Sequence, residues 1–347
     1  MIFKKEYTVN WKLILIRLIS ILFFIALLLY TIWPLLTGST KYSRTIVVYG
    51  FSILAEVMNE GIFPAFSAQW EKSTGESVEF VPSFAGSGTI TNQIILGVPA
   101  EVVILSLELD AIRLLDKKIL TDSSWKNLPN EGILNLTPFI FLVRHGNPKK
   151  IKDFADLTRE GIGIVHPDPL TSGGAQWAIL AEYGSVSLNK NTSAAYSQLL
   201  GIWENVVAQA ASARAARTQF ENGFGDVLIT YEQEALHDKS KGRLNADIVY
   251  PASTILSEHT VVIISKNISE EQKELIDAFT NFLWSETAQL IFVKYGFRSI
   301  NDSLNNNDQF GKIEKPFMVK DLGGWSNAKK EIIDNIWKDK ILKEIKN

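Results

Sequence analysis

The sequence predicts an α/β fold built on mainly parallel sheets flanked by helices, preceded by an N-terminal transmembrane helix. Three observations predict it. From residue 44 onwards, β-branched apolar runs alternate with stretches of helical periodicity, the pattern of strands joined by helical crossovers. One of those runs, AEVVILSL at 100–107, is apolar almost throughout, as in a strand buried on both faces of a parallel sheet. Residues 18–36, LISILFFIALLLYTIWPLL, carry no charge over 19 positions, enough to span a bilayer core that needs ~20 residues. A chain of 347 residues also exceeds what one hydrophobic core usually organises, so two lobes are expected.

The elements follow in order. Lys4, Lys5, Lys12 and Arg17 flank the apolar run, which keeps residues 1–17 in the cytoplasm by the positive-inside rule. Trp33 suits an interfacial ring. The run is longer than the ~7–15 residue apolar part of a cleaved signal peptide, so an uncleaved anchor is expected; LTGST (36–40) is where a cut would fall. Everything after the linker 37–43 then faces out of the cytoplasm. RTIVVYG (44–50) is a strand, followed by an amphipathic helix from about Ser52 to Ser73. ESVEFVPS is the next strand and GTITNQIILG the next helix; AEVVILSL is followed by the helix around LDAIRLLDKK. A second series starts with the strands TPFIFLVRHG (137–146) and GIGIVHP (161–167), and TSGGAQWAILAEYG opens a helix. Helices near 192–203 and 216–223 lead to the strand beginning DVLITYEQEA, and then to strands DIVYP and TVVIISK. Residues 270–296 are helical with a break near Trp284–Ser285, and SNAKKEIIDNIWKDKILKEIKN closes the chain as an amphipathic helix.

Composition removes several function classes. A net charge of −3 argues against a nucleic-acid partner. Without cysteine there are no disulfides, thiolate metal sites or cysteine nucleophiles. The four histidines, His145, His166, His237 and His259, are scattered without metal-ligand spacing. The glycine turns fit no nucleotide motif. After Gly88 come Thr89 and Ile90, not the lysine and hydroxyl of a P-loop, and position 91 is Thr where a dinucleotide fingerprint has its third glycine. Ser87 lies between Ala85 and Thr89, which is no hydrolase elbow. Neither catalysis nor a cofactor is expected. What remains is two turns, Gly86–Ser87–Gly88 and Ser172–Gly173–Gly174, each between a strand and a helix. One such turn is more often a simple helix cap. Two of them can surround an oxyanion with neutral donors, because free N–H groups and the helix dipole favour negative charge. Glu232 and Glu234 flank a strand end, where two carboxylates can form an acid/base pair but more often are solvated or paired with a nearby base. Arg214 and Arg217, at a helix start, either pair with a ligand or tie down an acidic neighbour.

These residues resemble a known family, the periplasmic sulfate- and thiosulfate-binding proteins that feed ABC importers. The resemblance runs from residue 44 to the C-terminus. It rests on FSAQW (66–70), AGSG (85–88), RHGNPKKIKDFADL (144–157), SGGAQW (172–177), SARAA (212–216), GFGDVLITYEQEA (223–235), TILSEHTV (254–261) and GGWSNAKK (323–330), in this order and spacing. It implies a two-lobed type II periplasmic binding protein fold, with residues 44–137 and 259–347 in one lobe and 138–258 in the other. The anion would be held between the lobes by uncharged donors. By position, Ser87 would give its backbone N–H, Ser172 its hydroxyl, Gly173 and Gly174 backbone N–H groups, and Ala213 another. Arg214 would stand behind the ligand. Two positions depart from the family. Tyr231 replaces a tryptophan whose indole donates, and Phe51–Ser52–Ile53–Leu54 replaces an aspartate-proline turn, leaving Ile53 as a backbone donor and Ser52 as an added hydroxyl. None of these positions is a carboxylate that could accept a ligand's proton, so sulfate is expected over phosphate. Thiosulfate, phosphate, molybdate or tungstate, or a role as a membrane-tethered anion sensor, are the alternatives. The implied partner is an ABC permease, and the chain is expected to act as a monomer.

Overall fold

The structure, a computed structural model, describes residues 11–37, 43–305 and 308–345. Lys4, Lys5 and linker residues 38–42 lie outside the described residues, as does the side chain of Trp33. Contacts divide the chain into two units, Met1–Arg44 and Thr45–Asn347.

The first unit is helix α1, Trp11–Thr37. Within it Leu15–Ile32 is long and apolar enough to cross a membrane, and none of that stretch is buried by the protein. Ser20 and Thr31 return their hydroxyls to the carbonyls of Ile16 and Leu28, so these two hydroxyls are satisfied within the helix.

The second unit is organised on an 11-stranded sheet whose main path runs β2-β1-β3-β9-β4-β7-β5-β6, with β8 (Asp247–Val249) and β10 (Arg298–Ser299) paired to β4 off that path. β1 (Ser43–Phe51), β2 (Ser77–Ala85) and β3 (Val102–Leu105) alternate with helices. Between β1 and β2 the chain is helical over 52–74: a 3₁₀ turn (Ser52–Leu54), α2 (Ala55–Val57), a π turn (Met58–Ile62) and α3 (Phe63–Thr74). The helix ends at Gly75, whose φ of 78° is left-handed. α4 (Ser87–Ile95) and α5 (Glu108–Asp116) complete this half. All four residues of β3 are buried, as its unbroken apolar run requires. β1 and β3 pair in parallel, with Val48 opposite Val102.

The other half holds β5 (Ile164–Pro167), α6 (Gly173–Ser187), α7 (Thr192–Glu204), β6 (Val206–Ala210), α8 (Ala213–Glu221), β7 (Val227–Tyr231) and α9 (Glu232–Ser240). α6 is buried along most of its length, which explains its mixed small and apolar composition without a polar stripe. Two 11-residue strands, β4 (Ile133–Val143) and β9 (Ser253–Ile263), join the halves. β4 pairs with β9 through Leu136, Thr137 and Pro138, then with β7 through residues 139–143.

α10 (Glu270–Leu283) and α11 (Glu286–Lys294) are separated where the sequence places the break, with Ser285 capping the second through its hydroxyl. α10 contributes Phe279 and Phe282 to an aromatic cluster with Phe63, Phe66 and Phe80. The C-terminal helix, Ala328–Ile341, is wound as a π-helix. It lies on α6 and α7, with Trp337 against Trp203 at 4.9 Å between ring centroids, and Trp325 in the α-helical turn Gly324–Asn327 just before it against Trp177 at 4.5 Å.

Several elements differ from the sequence expectation: β4 begins at Ile133, four residues before TPFIFLVRHG, and the short strands Arg298–Ser299 and Lys315–Phe317 have no counterpart there. β6 has no counterpart there: it is an edge strand with Val207 exposed, so its burial pattern is too weak to stand out. β9 begins at Ser253, well before TVVIISK, because its polar early residues are held by β11 (Lys315–Phe317) and β4. α8 begins at Ala213, since Ser212 caps it.

Candidate functional site

Three helix N-termini meet between the two halves of the sheet. α4 starts after Gly86, which has no side chain to cap it, and the first backbone bond back is Ile90 N–H to the Gly86 carbonyl at 2.9 Å. The N–H groups of Ser87, Gly88 and Thr89 therefore have no intrahelical partner. α6 starts after Ser172, whose N–H donates to the Asp168 carbonyl at 2.8 Å while its hydroxyl makes no cap. Gly173 and Gly174 present free N–H groups there. α8 starts after Ser212, whose hydroxyl accepts from Ala215 N–H at 3.1 Å, leaving the N–H of Ala213 outside that bond. The close approach is visible at Gly86: a Cβ there would stand 2.4 Å from the Thr171 carbonyl oxygen and 2.6 Å from that of Ala211. Those carbonyls immediately precede the α6 and α8 caps, so only glycine fits.

Ser106, at the end of β3, ties the site together. Its N–H donates to Ser87 Oγ at 3.1 Å, and Ser87 Oγ donates to Asp110 Oδ2 at 2.6 Å. Its carbonyl accepts from the Trp177 indole at 2.7 Å. Its hydroxyl meets the Tyr231 hydroxyl at 2.8 Å, and either can donate. A Cβ on Gly173 would lie 2.7 Å from Ser106 Oγ, and one on Gly174 3.0 Å from the Tyr231 hydroxyl oxygen. Ser52 and Ile53 sit in the 3₁₀ turn after β1, which packs against α8. Ser87, Ser106, Ser172 and Tyr231 are all buried.

Charge is kept one step away from this convergence. Burial pushes the Tyr231 phenol above its usual range, with Ser106 partly offsetting it, so Tyr231 stays neutral. His259, beside Phe51 and Tyr231, is pushed down to about 3 by burial and is neutral as well. Burial raises Asp110, while the Ser87 hydrogen bond works the other way. Arg214 is fully engaged: its Nη2 donates to Glu56 Oε2 at 2.7 Å and its Nε to Glu234 Oε1 at 2.9 Å. Burial works to lower Arg214, but the two carboxylates outweigh it and hold it charged. Arg217 adds an ion pair to Asp238 at 2.9 Å. Glu234 is thus paired with arginine, and Glu232 likewise with Arg298 at 2.7 Å. Among the described residues no group of three His, Asp or Glu is arranged to hold a metal.

The structure therefore brings together Ser87, Ser172, Gly173, Gly174, Ala213 and Tyr231, with Ser52 and Ile53 at the edge, and sets Arg214 behind them. Of the two roles open to Arg214, the structure shows the tie to acidic neighbours. Ser106, Asp110, Trp177 and Glu56 were not foreseen. The one local signal was Ser106, a polar residue at the end of an otherwise apolar strand.

The family model for bacterial extracellular solute-binding proteins matches residues 46–298. A sulfate-binding protein of Synechococcus elongatus is 36% identical over 86% of this chain and 85% of its own length. A thiosulfate-binding protein of Escherichia coli is 34% identical over 77% of this chain and 82% of its own. The solved structure of the sulfate-binding protein SubI from Mycobacterium tuberculosis is 30% identical, covers 84% of this chain and 100% of that one, and superposes with a TM-score of 0.77. With its two-lobed α/β fold, the chain belongs to the bacterial extracellular solute-binding proteins.

Proposed function

We propose that this chain is the anion-capturing component of a sulfate importer, held at the outer face of the cell membrane by α1 and delivering its ligand to an ABC permease. The observation that carries this reading is the convergence of the α4, α6 and α8 N-termini on a buried spot whose side chains are neutral. Such a site suits a small, fully deprotonated oxyanion: partial positive charge from backbone dipoles meets it, and no carboxylate faces it directly. Asp110 is spoken for by Ser87. The named relatives bind sulfate or thiosulfate, and this chain matches them over most of its length. Ser87 would contribute its backbone N–H, since its hydroxyl is engaged by Asp110 and Ser106. Ser172 would contribute the free hydroxyl.

In this reading residues 44–137 and most of 259–300 form one lobe and 138–258 the other. The C-terminal helix, against α6 and α7, rides with the second. The lobes close about β4 and β9, the hinge motion of periplasmic binding proteins. The protein acts as a monomer without catalysis, and α1 remains attached as the anchor. Isothermal titration of the full-length protein in detergent tests the ligand: saturable sulfate binding is expected, with thiosulfate as competitor. Tight phosphate binding with no response to sulfate would sink the proposal.

A further inference from the structure

Ser106 closes β3 in one half of the sheet and Tyr231 closes β7 in the other, and their hydroxyls meet 2.8 Å apart with either able to donate. Both residues are 1% exposed. They stand directly against the first turn of α6, because a Cβ on Gly173 or Gly174 would touch one or the other. Around them, hydrogen-bond directions are fixed. The Ser106 N–H points to Ser87 Oγ, the Ser87 hydroxyl points to Asp110, and the Trp177 indole points to the Ser106 carbonyl. The hydroxyl pair is the exception. Two hydroxyls joined by one hydrogen bond keep one proton in that bond and one outside it, with lone pairs free on both oxygens. If Tyr231 donates to Ser106, the serine proton can be given to a ligand oxygen while the tyrosine oxygen accepts a ligand proton; reversing the pair reverses both roles.

We propose that Ser106 and Tyr231 act as one reversible donor–acceptor unit in the anion site. They extend its ligand class from fully deprotonated tetrahedral oxyanions to those carrying a single proton, hydrogenphosphate and hydrogenarsenate. The inference rests on the sulfate reading above. Sulfate and hydrogenphosphate carry the same charge, so the backbone donors treat them alike. They differ by one proton, which in a site made only of donors would face no acceptor and be heavily penalised. The hydroxyl pair supplies that acceptor without giving up its donor.

The test is titration of the full-length protein in detergent at about pH 8 with sodium sulfate, selenate, phosphate and arsenate, for wild type and Ser106→Ala/Tyr231→Phe. In wild type, phosphate and arsenate are expected to bind within about a hundredfold of sulfate and selenate. The double variant loses a donor for all four and the acceptor for two. Sulfate and selenate should then weaken by about tenfold, and phosphate and arsenate by at least another tenfold. If the double variant does not fold, Tyr231→Phe alone carries the test, since it removes a single oxygen. Sulfate binding in wild type with no phosphate response at millimolar concentration overturns the proposal and leaves the sulfate reading standing. So does an equal loss for all four anions in the variant. Absence of sulfate binding in wild type overturns the sulfate reading itself.

Discussion

Ser172 separates a binding residue from a helix cap. It sits at the N-cap of α6 in an extended conformation and is 3% exposed, yet its hydroxyl makes no bond to the helix it precedes. Ser212, in the same place on α8, does cap. Replacing a true cap with alanine costs ~0.5–2 kcal/mol of stability. Ser172→Ala is instead expected to leave the melting temperature of the anion-free protein unchanged and to weaken sulfate binding by ~1–3 kcal/mol, the worth of a hydrogen bond to a charge. Thermal melts and titration read the two separately, and an unchanged affinity would place the site elsewhere. The glycine–serine turns were legible in the sequence because a helix start is a local signal. Ser106, Asp110 and Trp177 were not, because their roles come from contacts between strands and helices distant in the chain. Ser87 shows the same limit. Its position was readable, but the commitment of its hydroxyl to Asp110 depends on α5 packing behind it.

Most elements were legible from periodicity, and the misses have physical causes. β6 turns only Val206 and two alanines, Ala208 and Ala210, inward at the sheet edge, and the first residues of β9 are polar yet paired. In the C-terminal helix the buried residues are Ala328, the pair Ile332–Ile333, Trp337 and Ile341, one group every four or five positions. That spacing drifts around an α-helix but stays on one face of an i→i+5 helix, so the winding follows from the apolar pattern. β9 also joins two adjacent residues with opposite pH signatures. His259 faces inward and is pushed down to about 3 by burial. Between that value and the unfolded ~6.5 only the unfolded chain binds this proton, so His259 lowers stability as pH falls. Glu258 is raised to about 7, by burial first and then by Glu108, Glu131 and Asp321, with Lys320 opposing. Its sign is reversed: the folded chain binds the extra proton, and stability is lost as pH rises from the unfolded ~4.3 through 7. Glu258→Gln is therefore expected to stabilise the protein at pH 8 by on the order of 1 kcal/mol after allowance for solvent screening. At pH 4.5 the effect should be close to nil. Denaturant melts at the two pH values check it; an equal effect at both would show that Glu258 does not titrate as inferred.

At the scale of the whole molecule, the chain passes between the two halves at β4, at β9 and again before the C-terminal helix, and non-covalent contacts join them around the site. Glu56 on α2 bonds Arg214 on α8, Ser106 meets Tyr231, Trp177 reaches the Ser106 carbonyl, and Gly86 lies against Thr171 and Ala211. In the proposed reading these contacts mark the closed arrangement, and a ligand that binds it stabilises the fold by mass action. Sulfate at 100 times its dissociation constant should add ~2.7 kcal/mol, a rise of several degrees in melting temperature. Gly86 provides the control. A methyl group there has no room when the halves meet, at 2.4 Å from a backbone oxygen that cannot step aside, but meets no such obstacle once they part. Gly86→Ala is therefore expected to melt near the wild-type temperature without sulfate, and to lose most of the sulfate-induced rise. A variant that keeps the full rise would mean that the anion is bound without closure at this contact. One that is strongly destabilised before any anion is added would mean that the closed arrangement is held by the protein alone.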